Sequence, residues 1–133
     1  MHLTLYGNPA TKKNSARILR NHSGRPFVAP SKAFVEYEGN CLLQIKRPLS
    51  PLSARLNVCC IYYMATARRV DLANLIEATT DILVKAGVLE DDNSKIVAAH
   101  DGSRVLLDRK NPRAEIEIKE MEEKDEKIDS SNV

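Results

Sequence analysis

Apolar residues recur along this chain at two spacings, one typical of strands and the other of helices. Leu3 and Leu5 alternate with polar residues and predict a first strand over residues 2–6. A similar alternation over residues 114–119 predicts a last strand. Residues 54–64 are rich in β-branched and aromatic side chains, which favours a central strand.

Two other segments have apolar residues at three- and four-residue steps, the spacing of amphipathic helices. The first helix is predicted to begin after Ser31, a residue type that caps helices, and to run to about Arg47. The second is predicted over residues 72–86. Asp71 stands at its N-cap position and Gly87 stands where a helix often ends.

The remaining segments connect these elements. Residues 10–25 lack periodicity and predict a basic loop or loose hairpin, with a short strand at Phe27 and Val28. The dipeptide Asp101-Gly102 between two short apolar runs predicts a two-residue β-hairpin. The order of elements predicts an α+β domain, a mixed β-sheet with two main helices packed on it.

Composition limits the chain to one such domain and shows a strong charge asymmetry. At 133 residues and 43% hydrophobic content, the chain can bury one core, which we expect within residues 1–118. Residues 119–133 are charged, lack aromatic side chains and are expected to be disordered. The net charge of +2 combines a strongly basic segment 1–70 with acidic segments 71–118 and 119–133. A basic half beside an acidic cluster indicates a polyanionic partner and a cation site.

Several classes of protein are disfavoured. The three cysteines are odd in number and lack zinc-site spacing, so we interpret them as small buried residues of a reducing compartment. The chain shows no signal-peptide pattern, and its longest apolar run is too short to span a bilayer. We therefore expect a cytoplasmic protein without a membrane partner.

Carboxylates at both ends of the second helix are the candidate chemistry. Asp71, Glu77, Asp91 and Asp92 supply oxygen atoms, the ligands that Mg²⁺ prefers. If the loop after the helix turns back towards Asp71, these residues form an open metal site suited to phosphodiester hydrolysis. The alternative is that Asp71 only caps the helix and that Asp91 and Asp92 belong to a polar turn.

Basic residues precede the second helix and also fill the loop near the N-terminus. They are candidates for contacts with nucleic-acid phosphates, which would make binding salt-dependent. The alternative is a solvated basic surface. The candidates are Lys12, Lys13, Arg17, Arg20, Arg68 and Arg69.

The segment 71–92 resembles the signature of the RusA-type Holliday junction resolvases, phage-associated endonucleases of DNA recombination and repair. The matching positions are Asp71, Asn74, Asp81, Leu83, Gly87, Asp91 and Asp92, without a gap. An opening strand, a Gly-Asn-Pro turn, a lysine-rich loop and a Ser-Lys-x-Phe helix start extend the similarity over residues 3–118. The resemblance implies a homodimer that binds four-way DNA junctions and nicks two opposed strands with Mg²⁺ or Mn²⁺. It also implies that Asp71 and Asp92 serve the metal.

Two positions depart from that signature. The family's second aspartate is Ala73 here, and its lysine is Glu77. Because these positions are one helical turn apart, Glu77 is a candidate for a relocated carboxylate ligand, with Asn74 in support. Lys95 or Arg69 would then supply the missing positive charge. The alternatives are a catalytically weakened protein that only binds DNA junctions, and a small RNA-binding protein of the same fold class.

Overall fold

The computed structural model describes residues 1–12, 17–46 and 50–122, which contain seven strands and two helices. The elements are β1 His2–Tyr6, β2 Arg17–Arg20, β3 Pro26–Ala29, α1 Lys32–Gln44, β4 Leu56–Met64, α2 Leu72–Lys85, β5 Val97–Ala99, β6 Arg104–Leu107 and β7 Arg113–Glu120. The predicted α+β class, with two helices and a mixed sheet, is confirmed.

Strand β4 lies in the middle of a five-stranded sheet. On one side it pairs antiparallel with β7, which in turn pairs antiparallel with β1. On the other side β4 pairs parallel with both β5 and β6. Strands β2 and β3 form a separate two-stranded sheet.

The core lies between the two helices and one face of this sheet. Every second residue of β4 is buried, from Leu56 to Tyr62, as the alternation of a strand with one covered face requires. These side chains share the core with Phe34 of α1 and Ile82 of α2. The two helices are also joined at the surface, where Lys85 Nζ lies 3.0 Å from the Glu38 carboxylate.

The hairpin predicted at Asp101-Gly102 is not formed, although a turn is present there. Gly102 has a φ of 89°, and the amide of Ser103 donates to the carbonyl of His100 at 3.1 Å. Strands β5 and β6 both run parallel to β4 instead of pairing with each other. The side chain of Asn57 holds the turn against β4 by accepting from the Asp101 amide at 2.8 Å. The turn therefore connects two short strands, β5 and β6, that both pair with β4 on the same side.

Other boundaries differ by a few residues. Helix α1 ends at Gln44, before the expected Arg47, which lies outside the described residues. The segment 10–25 proves to contain one strand of the β2–β3 hairpin. Strand β7 continues to Glu120, so the first two residues assigned to the tail are in the sheet, whereas residues 123–133 lie outside the described part. No helix in the described ranges is long and apolar enough to cross a bilayer.

Candidate functional site

Helix α2 sets the distance between the candidate carboxylates. Asp71 caps its first turn, because its Oδ1 accepts a 3.0 Å hydrogen bond from the Ala73 amide. Asp81 lies on the same helix, and a rise of about 1.5 Å per residue puts it about 15 Å further along the axis. Carboxylates at these two positions belong to different regions of the surface.

The C-terminal half of α2 borders an acidic cavity of about 380 Å³. Its lining consists of Lys12, Asp81, Val84, Lys85, Asp91 and Asp92. The Lys12 ammonium forms an ion pair with Asp81 Oδ2 and lies 5.8 Å from the centre of the Phe34 ring. Three carboxylates and two lysines thus share a single cavity.

Asp91 and Asp92 have different electrostatic environments in this cavity. Asp91 Oδ1 accepts from the Asp92 amide at 2.7 Å, and its Oδ2 accepts from Asn93 Nδ2 at 3.1 Å. These hydrogen bonds lower the pKa of Asp91. Partial desolvation at the cavity wall, then the neighbouring Asp91 and finally Asp81, raise the pKa of Asp92. The folded chain therefore favours the ionised form of Asp92 less than the unfolded chain does.

The loop that follows α2 is anchored next to the C-terminus of that helix. Gly87 turns the chain with a φ of 77°. Leu52 then holds the loop on both sides, donating its amide to the Val88 carbonyl at 2.8 Å and accepting from the Glu90 amide at 3.0 Å. Because Val88 is also buried in the core, the loop cannot reach back along the helix.

Within one chain, therefore, the structure brings Asp91 and Asp92 to Asp81 and leaves Asp71 at the opposite end of α2. The expected convergence of Asp71 with Asp92 is not formed inside a single chain. Among residues 1–12, 17–46 and 50–122, no group of three or more histidine, cysteine, aspartate or glutamate side chains has the arrangement of a metal site.

The supporting residues are divided between the two ends. Glu77 is exposed and lies one helical turn before Asp81, on the same side of α2. Asn74 is in the first turn, where its amide donates to the Asp71 carbonyl at 3.1 Å. Lys95 and Arg69 do not line the acidic cavity. Lys12 is the lysine that forms an ion pair with one of these carboxylates, Asp81, and the sequence did not indicate this pairing.

Arg68 and Arg69 line a second cavity, of about 290 Å³, beside the N-terminus of α2. The first turn of α1 reaches the same cavity through Ser31, whose Oγ accepts from the Phe34 amide at 3.1 Å. Both arginines are exposed, and only Val70 separates them from Asp71 in the sequence. The arrangement offers positive charge next to the helix cap, as contacts with a nucleic-acid phosphate require.

Two of the remaining basic candidates, Arg17 and Arg20, do not line either cavity. Arg17 and Arg20 belong to β2, in the separate hairpin, and Lys13 lies outside the described residues. Asp81 is the site candidate that the sequence analysis did not select. Its place among the matched positions of segment 71–92, one helical turn after Glu77, was the available signal.

Comparison with known proteins adds no family assignment. No protein-family model matches the chain, and no curated protein matches it significantly.

Proposed function

We propose that this chain is a metal-dependent endodeoxyribonuclease that nicks four-way DNA junctions as a homodimer. The observation that carries the proposal is the gathering of Asp81, Asp91 and Asp92 around one cavity beside Lys12. Acidic oxygens next to a cation are what hydrolysis of a phosphodiester demands. The resemblance of residues 71–92 to the RusA-type signature supplies the substrate and the oligomeric state.

Two carboxylates of the acidic cavity, Asp91 and Asp92, are the proposed ligands of Mg²⁺. This ion keeps several waters and is usually held by one or two carboxylates together with substrate phosphates. Asp92, whose pKa is raised partly by the neighbouring Asp91 and Asp81, would gain from a bound cation. Asp91 is oriented by its two hydrogen bonds and would hold the same ion. Once bound, Mg²⁺ or Mn²⁺ supplies a water of lowered pKa and stabilises charge on the leaving oxygen.

A role for Asp71 in the same metal site needs a different explanation, because Asp71 lies about 15 Å from Asp81 along α2. We infer that a two-fold axis packs two copies of α2 antiparallel, so that Asp71 of one protomer faces Asp92 of the partner subunit. A two-fold interface pairs each residue reciprocally, which gives two equivalent sites. The first turn of α2 leaves room for a second helix, since its exposed residue Ala73 is small.

In this arrangement Arg68 and Arg69 would hold the phosphate that approaches Asp71. Glu77 remains the proposed replacement for the family's missing aspartate. Lys12 is the proposed replacement for the missing lysine, because it already lies among the carboxylates.

The ion pair between Lys12 and Asp81 also favours a second function. Because Lys12 neutralises Asp81 and because Ala73 cannot bind a metal, a protein that binds junctions without cutting them is the competing proposal. Incubation of the purified protein with an end-labelled four-way junction, with and without Mg²⁺, separates the two. Nuclease function predicts symmetric nicks that require Mg²⁺, whereas pure binding gives a shifted but intact junction.

The matched variants are Asp92→Asn and Asp101→Asn. Both remove one exposed carboxylate without changing side-chain size, but Asp101 lies in the turn beside β4, away from the acidic cavity. We expect Asp92→Asn to abolish the nicks and Asp101→Asn to leave them unchanged. Equal loss in both variants, or Mg²⁺-independent cleavage, would contradict the proposal.

A further inference from the structure

The hairpin of β2 and β3 stands apart from the main sheet. Its four pairs join Arg17 to Ala29, Ile18 to Val28, Leu19 to Phe27 and Arg20 to Pro26. In the part of the chain that the structure describes, no third strand pairs with it. An isolated two-stranded hairpin is marginally stable in water, so its shape needs additional support.

That support comes from the turn. The side-chain oxygen of Asn21 accepts from the amides of Ser23 and Arg25, at 3.1 and 3.0 Å. The Asn21 amide donates to the Arg25 carbonyl at 3.0 Å, and Gly24 takes a φ of 78°. Arg20 Nη1 then donates to the Gly24 carbonyl at 2.8 Å. The hairpin is therefore preformed, since these hydrogen bonds lie within it.

Its surface is unusually apolar for an exposed element. Ile18 is 77% exposed and Val28 is 73% exposed, and the two are directly opposite each other on one face. Leu19 and Phe27 form a second opposed pair on the other face, at 39% and 45% exposure. Single exposed apolar residues are common on proteins, but four on one small hairpin indicate a contact surface.

The charge of the hairpin identifies the kind of partner. Arg17, Arg20 and Arg25 lie on it, and the sequence contains no aspartate or glutamate before Glu36. Among the ion pairs within the described ranges, none involves these three arginines. Two copies of the hairpin would bring like charges together, which disfavours a second copy as the occupant. A polyanion is the complementary partner.

We propose that the β2–β3 hairpin is a wedge that inserts Ile18 and Val28 between base pairs at the branch point of DNA, while its arginines hold the adjacent phosphates. Apolar side chains flanked by cations unstack base steps in this way in DNA-bending proteins. The inference rests on the proposed action on four-way junctions. It goes beyond it by assigning a strand-separating role to an element that does not line the acidic cavity.

A fluorescent base reports the insertion directly. The protein contains no tryptophan, so the emission of 2-aminopurine in the DNA is read without that background. One junction carries the fluorescent base at the branch point and another carries it in the middle of an arm. We expect protein binding in EDTA, which prevents cleavage, to raise the emission several-fold at the branch point only, because unstacking relieves quenching.

The test variant is Ile18→Ser combined with Val28→Ser, and the control is Leu43→Ser. Leu43 is 87% exposed on α1, so both changes remove exposed apolar area and spare the core. We expect the double variant to lose the rise in emission at saturating protein while it still binds linear duplex like the unmodified protein. The control should retain the full rise. Thermal unfolding followed by circular dichroism verifies that all three proteins fold.

A second variant separates the charges from the wedge. Arg25→Gln, which leaves the backbone hydrogen bonds of the turn in place, should reduce the slope of log affinity against log salt by about one, because one phosphate contact is lost. Its emission at saturation should be unchanged.

The outcomes distinguish the inference from the proposed function. Binding without a rise in emission, or a full rise in the Ile18→Ser, Val28→Ser variant, would overturn the wedge and leave the nuclease proposal standing. Failure to bind any DNA would overturn both. A change from dimer to monomer in the double variant, measured by light scattering, would assign the hairpin to self-association instead and also overturn the wedge.

Discussion

Lys12 and Asp81 form an ion pair across the acidic cavity, and this pair competes with any cation for the Asp81 carboxylate. We expect Lys12→Met, which keeps much of the apolar stem, to increase the shift in melting temperature that Mg²⁺ produces, since tighter binding stabilises the fold more. The same variant should cleave junctions more slowly at saturating Mg²⁺, because it lacks the charge that faces the phosphate. Lys32→Met, an exposed lysine of α1, is the control. An unchanged Mg²⁺ response would contradict the competition.

Asp92 and Asp91 should affect stability in opposite directions. The fold raises the pKa of Asp92, so its ionised form destabilises the folded chain at neutral pH. We expect Asp92→Asn to melt higher than the unmodified protein at pH 7, with the difference vanishing as the pH falls below the ordinary aspartate value of about 3.9. Calorimetry across this range measures it. A lower melting temperature at pH 7 would contradict the assignment.

The fold lowers the pKa of Asp91, whose hydrogen bonds therefore stabilise the folded chain above its ordinary pKa. We expect Asp91→Ala to melt lower at pH 7. The loss should diminish as acid protonates Asp91 in the unmodified protein, through the lowered pKa. The same calorimetric series measures this effect, and a pH-independent loss would show that the charge of Asp91 is irrelevant.

Tyr62 positions α2 on the sheet. Its buried hydroxyl lies 2.7 Å from Thr79 Oγ1, which itself donates to the Leu75 carbonyl at 2.9 Å. Tyr62→Phe removes this link, and we expect the free energy of unfolding to fall by about 1–2 kcal/mol in urea titration. Tyr6→Phe, at an exposed tyrosine, should change it little. Equal effects of both substitutions would contradict the role of the buried hydroxyl.

Glu77 tests whether a carboxylate has moved along α2. If it replaces the aspartate missing at Ala73, Glu77→Gln should cleave junctions at least about tenfold more slowly and bind them normally. Glu36→Gln, an exposed glutamate of α1, is the matched control. Cleavage by Glu77→Gln at the unmodified rate, with Asp92→Asn inactive, would contradict relocation.

Elements with strong local signals were predictable from the sequence. The cap at Asp71, the stop at Gly87 and the apolar spacing between them defined α2 to within one residue. The direction of the strands around Asp101-Gly102 was not predictable. That turn depends on the side chain of Asn57, which is distant in sequence and pulls both flanking segments onto the same edge of β4.

The candidate site was predictable in its residue types but not in its grouping. The spacing indicated that Asp71 precedes one helix and that Asp91 and Asp92 follow it. Because Leu52 anchors the loop after that helix, the loop stays at the C-terminal end of α2. The partnership of Lys12 with Asp81 joins residues from opposite halves of the charge pattern, and only the packing of the N-terminal segment against α2 reveals it.

The most direct test of the account mixes two inactive variants. In a two-fold dimer with shared sites, a heterodimer of Asp71→Asn and Asp92→Asn contains one intact site and one doubly altered site. After the two proteins are unfolded and refolded together, we predict that cleavage of the four-way junction returns to roughly a quarter of the unmodified rate, since half of the dimers carry one of two sites. Each variant treated alone should stay inactive. A mixture as inactive as its components would contradict a metal site shared between Asp71 of one protomer and Asp92 of its partner.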